Sequence, residues 1–165
     1  MQFLIFSDSH GNQTNMIRTI RSHPDVRHVL FLGDGLRDLS CVRPMFPGIF
    51  FAAVRGNIDG FGDGEAEDEH IFEMYGCRVL MMHGHTRAVK AGTAAAEQFA
   101  LRNGCSVLLY GHTHAPASVY RSDGGLYVFN PGSIGRPDYG KKASYGLMDI
   151  LPNGSVMLSH GEQGI

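Results

Sequence analysis

Short apolar runs, each ended by a polar residue or a glycine, punctuate the first two thirds of the chain. Phe3-Leu4-Ile5-Phe6 turns polar at Ser7-Asp8. Val29-Leu30-Phe31-Leu32 stops at Gly33, and Phe50-Phe51-Ala52-Ala53-Val54 stops ahead of Gly56. Runs of this length predict buried strands over residues 2–7, 29–32 and 50–54. Between the first two, Met16, Ile17 and Ile20 recur on one helical face. Asn12 is a candidate N-cap and Pro24 follows the end, so a helix is expected over 12–22.

Further on, 70–75 and 77–82 read as strands paired about Gly76. A helix is predicted over 91–103, with Gly104 as its C′ residue, and 107–110 is another buried strand. The C-terminal third changes character. Segments 118–121 and 126–130 flank Asp123-Gly124, and 145–151 and 155–160 flank Asn153-Gly154, which predicts two β-hairpins. Strand–helix alternation followed by mostly antiparallel strands predicts an α/β fold: two sheets packed face to face with helices outside. The five acids within 63–69 (Asp63, Glu65, Glu67, Asp68, Glu69) read as a solvated loop.

Ligand-type residues follow these strands. Asp8 comes after the first, Asp34 after the second and Asn57 after the third. His83 follows 77–82, and His112 follows 107–110. In layered α/β folds the carboxyl ends of neighbouring strands converge on one crevice. Five strand ends would therefore deliver their side chains to a single rim. Gly33, Gly56, Gly84 and Gly111 flank these residues and permit close backbone approach. If each segment is extended, Asp8 and His10 point the same way, as do His112 and His114.

Asp8, His10, Asp34, Asn57, His83, His112 and His114 make seven ligands. That is too many for one tetrahedral zinc and suits two divalent cations sharing a bridge, for which Asp34, the central acid, is the candidate. Two such ions bring four positive charges, of which Asp8 and Asp34 cancel two. The residual positive charge would attract an anion such as phosphate.

Composition excludes several alternatives. The 165 residues suit one domain spanning 1–165, and 43% apolar with 18% charged residues is ordinary for a globular protein. A net charge of −2 supports neither a nucleic-acid patch nor a polybasic membrane contact. Cys41, Cys77 and Cys105 are odd in number and far apart, which predicts reduced thiols and a cytoplasmic setting. The N-terminal apolar run is too short for a signal peptide or a membrane span. Self-association as a homo-oligomer is left open.

Asp8-x-His10, Gly33-Asp34, Gly56-Asn57, His83-Gly84 and Gly111-His112-x-His114 occur in the order found in the calcineurin-like metallophosphoesterases, and the chain resembles that superfamily's small bacterial and archaeal phosphodiesterase branch. Asn130-Pro131-Gly132-Ser133, followed by Arg136-Pro137, is similar to a further signature of the branch. The resemblance implies a four-layer α/β/β/α sandwich. It also implies one metal on Asp8, His10, Asp34 and His114, and a second on Asp34, Asn57, His83 and His112. Manganese is the first expectation, with iron, zinc, nickel or magnesium as alternatives.

Departures from the family matter. Phosphomonoesterases of the superfamily often carry Gly-Asn-His followed by an acid, and that histidine can protonate the leaving group. Here Ile58 occupies the position and Asp59 follows. Isoleucine donates no proton, which favours acidic leaving groups and small-molecule phosphodiesters. Asp138 stands where the branch often has arginine.

The implied chemistry is attack of a metal-bridging hydroxide on phosphorus, with Asn57 and His85 stabilising charge on the oxygens. His85 is placed beside the metals, contacting phosphate or merely exposed. Arg136 binds substrate or caps a loop. His23, His28, His70 and His160 are expected to face solvent, and Ser133, with no base beside it, is not expected to be a nucleophile. The rival from another class is a non-catalytic protein-interaction scaffold on the same fold, in which the ligand set would erode.

Overall fold

Two five-stranded sheets are built from ten strands. The computed structural model describes residues 1–60, 66–138 and 140–163. The first sheet has the order β10-β9-β1-β2-β3, and the second β4-β5-β6-β8-β7. In the first, β1 (Gln2–Phe6), β2 (His28–Phe31) and β3 (Phe50–Ala53) run parallel. The hairpin β9 (Ser144–Ile150) and β10 (Val156–Glu162) adds antiparallel to β1. In the second, β4 (Glu69–Met74) pairs antiparallel with β5 (Cys77–Met82). Strands β5, β6 (Val107–Tyr110) and β8 (Leu126–Asn130) are parallel, and β7 (Ala117–Arg121) closes the edge as the hairpin partner of β8.

Three apolar layers account for the stacking. Phe3 and Ile5 of β1 meet Val79 and Met81 of β5, Leu109 and Phe129 between the sheets. The opposite faces of the same strands, Leu4 and Phe6, pack under Met16 and Ile20 of α1 (Gln13–Ser22) and Leu39 of α2 (Leu36–Val42). Leu80, Leu108 and Val128 pack under Ala96 and Ala100 of α3 (Ala94–Arg102). Alternation along each central strand thus feeds two cores, because successive side chains leave opposite faces of a sheet. The result is a helix–sheet–sheet–helix sandwich.

Two expectations change. Helix α2 was not predicted; it starts directly after the Gly33-Asp34-Gly35 turn. The helix expected over 91–103 begins only at Ala94, because Gly92 sits at φ 143° and Thr93 is the N-cap. That shortening leaves a loop, 88–93, beside the ends of β5 and β6.

Of the acidic run, Asp63 and Glu65 lie outside the described residues. Asp68 is paired with Arg55 at 2.9 Å, and Glu69, the first residue of β4, with Arg87 at 2.6 Å. The C-terminal part of the run is therefore salt-bridged to its neighbours. Among the histidines expected to face solvent, His70 and His160 are exposed. His23 and His28 are half-buried.

Candidate metal centre

Asp8, His10, Asp34, His112 and His114 all take positive φ, between 44° and 68°. Only two other non-glycine described residues, Tyr75 and Ala88, do so. Each such conformation is strained for an L-residue and persists where the surroundings over-determine it. The pairs Asp8/His10 and His112/His114 therefore converge through left-handed turns, not through the extended segments expected from the sequence. An extended strand cannot stop and turn its next side chain inward, and a left-handed residue can.

The ends of β1, β2, β5 and β6 meet at one rim. Nitrogen and oxygen atoms of Asp8, His10 and His114 lie within 4.8 Å of one another, and those of Asp34, His83 and His112 do likewise. His10 Nε2 and His114 Nε2 are 3.1 Å apart, as are His83 Nε2 and His112 Nδ1. Asn57 Oδ1 is 3.1 Å from His83 Nε2. Asp34 Oδ2 stands between the groups, 3.4 Å from His83 Nε2 and 3.9 Å from His10 Nε2. All seven expected ligands are thus together.

The surrounding bonds orient the donor atoms. Asp8 Oδ2 accepts from Ser7 Oγ at 2.5 Å and from the His112 amide at 3.1 Å. Its Oδ1 is buried and receives no hydrogen bond from the described residues. It lies 3.2 Å from His114 Nε2 and 3.6 Å from His10 Nε2. A buried carboxylate oxygen without a hydrogen bond is costly, and it is the donor a cation would use. Nitrogens facing nitrogens across 3.1 Å fit the same occupant. The mixed oxygen and imidazole set suits a first-row transition metal.

Electrostatics agree. Burial alone would raise the Asp8 carboxyl pKa, but the neighbouring imidazoles of His10 and His114 hold it well below the usual range. Asp34 is likewise lowered against burial by His83. Burial, then the positive charges of His83 and Lys90, push His112 down to about 4. Both carboxylates are therefore charged and His112 is neutral near pH 7.

Several positioning residues escaped the sequence. Asp59 accepts from the amides of Asp34, Gly35, Leu36 and Gly56 at 2.8 to 2.9 Å, tying two ligand loops together. Asp38 accepts from Ser9 Oγ at 2.5 Å and the Gly11 amide at 2.8 Å, holding the His10 turn. Gly33 and Gly56 touch backbone to backbone, and a Cβ on either would collide with the other loop. For Asp59 the available hint was an acid two residues past Gly56-Asn57; Asp38, four residues past Gly33-Asp34, carried none.

Ser133 is buried, donating to the Asp8 carbonyl at 2.8 Å and accepting from the Arg136 amide at 2.7 Å. Asn130 Nδ2 donates to the Gly111 carbonyl and to Thr113 Oγ1, both at 3.0 Å. The 130–136 loop thus braces the two ligand turns.

Next to the ligands a cleft of about 460 Å³ is lined by Ile58, Lys90, Arg136, Pro137 and Asp138 together with five of the seven. His85 is not in that lining. Its ring centre is 5.5 Å from that of His83, its Nδ1 is buried without a partner, and burial followed by the charge of His83 lowers its pKa.

Residues 1–153 match the model of the calcineurin-like phosphoesterase superfamily domain. The chain belongs to that superfamily. Among curated members, the probable metallophosphoesterase YsnB of Bacillus subtilis is 28% identical over 165 residues, covering 99% of this chain and 93% of YsnB. Phosphodiesterase YfcE of Escherichia coli is 39% identical over 72 residues, 44% of this chain and 34% of YfcE. The crystal structure of Vps29 from Entamoeba histolytica, complexed with zinc, superposes with a TM-score of 0.75 at 18% identity, over 98% of this chain and 99% of that one. This calcineurin-like phosphoesterase thus shares its layered fold with Vps29 as well.

Proposed function

We propose that the protein is a dinuclear-metal phosphodiesterase acting on a small-molecule phosphate ester in the cytoplasm. The observation that carries it is the unpartnered, buried Asp8 Oδ1, aimed among imidazole nitrogens, with Asp34 shared between the two groups. One cation would sit on Asp8, His10, Asp34 and His114, the other on Asp34, Asn57, His83 and His112, with manganese the first expectation. When bound, such a pair supplies Lewis acidity, drawing the phosphoryl oxygens and acidifying a water for in-line attack.

The chain's own residues set the rest. Asp34 accepts from the Ile58 amide at 3.1 Å through Oδ1, leaving Oδ2 between the two groups. Asn57 stabilises charge that builds on the phosphoryl oxygens, His85 is assigned the same role from beside His83 and His112, outside the cleft lining, and Arg136 holds the substrate from the cleft wall. Ile58 is 57% exposed beside the ligands and offers no proton. Among the described cleft residues outside the ligand set, none is a histidine. A second cleft, also of about 460 Å³, shares only His10 and Ile58 with the first and runs past Gln13 and Cys41. Two clefts meeting at one isoleucine suit an ester with two organic arms. Vps29 supports the rival scaffold reading through fold alone, and the intact ligand set argues against it here.

The test combines metal analysis with turnover. Purified protein is expected to hold two equivalents of transition metal and to hydrolyse 4-nitrophenyl diesters with manganese. Asp34→Ala and His112→Ala should each abolish that turnover. Activity surviving both substitutions overturns the assignment, and a metal-free, inactive native protein would favour the scaffold.

A further inference from the structure

Lys90 lies on the loop left by the late start of α3, a segment whose sequence gave no sign of function. Ala88 at φ 52° and Gly92 at φ 143° shape that loop, and Lys90 is an exposed wall of the same cleft as Arg136. The rest of the wall outside the ligands is Ile58, Pro137 and Asp138. Two cations thus face one carboxylate, an excess of one positive charge.

Among the described residues, neither cation is committed elsewhere. Arg55, Arg87 and Arg121 are each paired with an acid, to Asp68, Glu69 and Glu97. Among the described residues, the side chains of Lys90 and Arg136 have no ion-pair or hydrogen-bond partner, and Asp138 does not come within ion-pair distance of either. An exposed cation in open solvent requires no explanation. Two uncommitted cations walling one concave site beside a reacting centre form a ready anion site, since charge-assisted contacts to carboxylate or phosphate are the strong ones.

Charge counting sets this anion apart from the reacting phosphate. A diester carries one negative charge. Two divalent ions against Asp8 and Asp34 already leave an excess of two positive charges at the reacting centre. The additional positive charge of Lys90 and Arg136 is therefore unmatched by an ordinary diester. Ile58 and Pro137, in the same lining, offer apolar surface to the arm that carries the anion.

We infer that Lys90, with Arg136, recognises a second anionic group on the substrate, so that the preferred substrate is a phosphodiester whose arm in this cleft carries a further carboxylate or phosphate. This rests on the phosphodiesterase reading above. Lys90 is a specificity residue here and contacts no reacting atom.

The test uses 4-nitrophenyl diesters that share one leaving group and differ in the second arm: ethyl, 2-carboxyethyl or choline. With the metal-loaded native protein, kcat/KM should be at least tenfold higher for the carboxylate arm than for ethyl, and lowest for choline. Lys90→Ala should remove most of that preference, chiefly through KM. Lys90→Arg should retain it, and Lys90→Glu should shift preference toward choline. Equal rates for the three arms, or an equal loss on all three in Lys90→Ala, would overturn the inference.

Binding of diethyl phosphate and of ethyl 2-carboxyethyl phosphate, measured calorimetrically on the same preparations, decides the matter without turnover. If no nitrophenyl diester is cleaved, the activity assignment fails. Recognition of a second anion by Lys90 still stands if the carboxylate-bearing diester binds at least tenfold more tightly in a Lys90-dependent way, and falls if it does not.

Discussion

His83, at the end of β5, donates from Nδ1 to the carbonyl of Leu32, just past β2, at 2.8 Å. The bond joins the two sheets at their carboxyl ends and holds the proton on Nδ1, so that Nε2, facing Asp34, is the nitrogen that becomes a lone pair when the ring loses its second proton. A carbonyl behind a ligating imidazole is the usual second-layer device for orienting a metal ligand. His83→Ala strands a buried carbonyl, which costs about 1–3 kcal/mol. Urea unfolding of metal-free protein should register that loss, and mass spectrometry of the purified variant should show metal content at least halved.

Asp59 gathers four amides from both the Asp34 turn and the Gly56-Asn57 turn. Asp59→Ala removes the acceptor that holds these ligands in register. Metal affinity is expected to drop by about 10–100-fold, with metal-free stability reduced by about 2–3 kcal/mol for the lost charge-assisted bonds. Asp59→Asn, which keeps an acceptor oxygen, should recover part of both in calorimetric metal titration.

Ile58 is exposed at the meeting point of two clefts, and its amide already serves Asp34. Ile58→His preserves that backbone bond and adds a proton donor beside the leaving group. General acid catalysis is worth about 10²–10⁴-fold. The ratio of monoester to diester kcat/KM should rise about tenfold or more, greatest for poor leaving groups. An unchanged ratio would remove the leaving-group explanation.

Metal affinity should depend on pH in a direction set by His83 and His114. Burial lowers the His83 pKa, but Asp34 and Asp8 outweigh it and the net shift is upward; His114 is raised by its bond to Asp8. Their protons must leave as a cation enters, so manganese affinity should climb as pH rises above about 6.5, by up to about tenfold per unit per proton, and then level off.

Metal-free stability carries the opposite sign for these two: it is complete below about 6.5 and lost as pH rises through their raised values. The contribution of Asp8 and Asp34 is present above the ordinary carboxylate range and lost on acidification. His112, at about 4 when folded, withdraws stability as pH falls from about 6.5 toward 4. Chelator-treated protein should therefore melt highest near pH 6.5. A melting temperature that rises steadily to pH 9 would contradict these assignments.

Much was legible because strand and ligand signals coincide. Apolar runs ending in Gly-Asp, Gly-Asn or His-Gly announce both a buried strand and a polar residue at its carboxyl end. The strands ending before Asp8, Asp34, Asn57, His83 and His112 were placed within a residue or two for that reason. Helix α2 was missed because Leu36, Leu39 and Val42 form too short a stripe to stand out. The late start of α3 was missed because alanines hide a boundary that Gly92 sets.

The sequence by itself determined the layered α/β architecture and the identity of seven ligand-type side chains, because hydrophobic periodicity and residue chemistry are local properties. Tertiary structure alone decided how those side chains face one another. Left-handed turns at five of the candidate ligands are held by Asp38, Asp59, Ser133 and Asn130 from other segments. It also brought Lys90 and Arg136 to one cleft. No local pattern encodes such meetings, since strain and charge convergence arise only when segments far apart in the chain pack together.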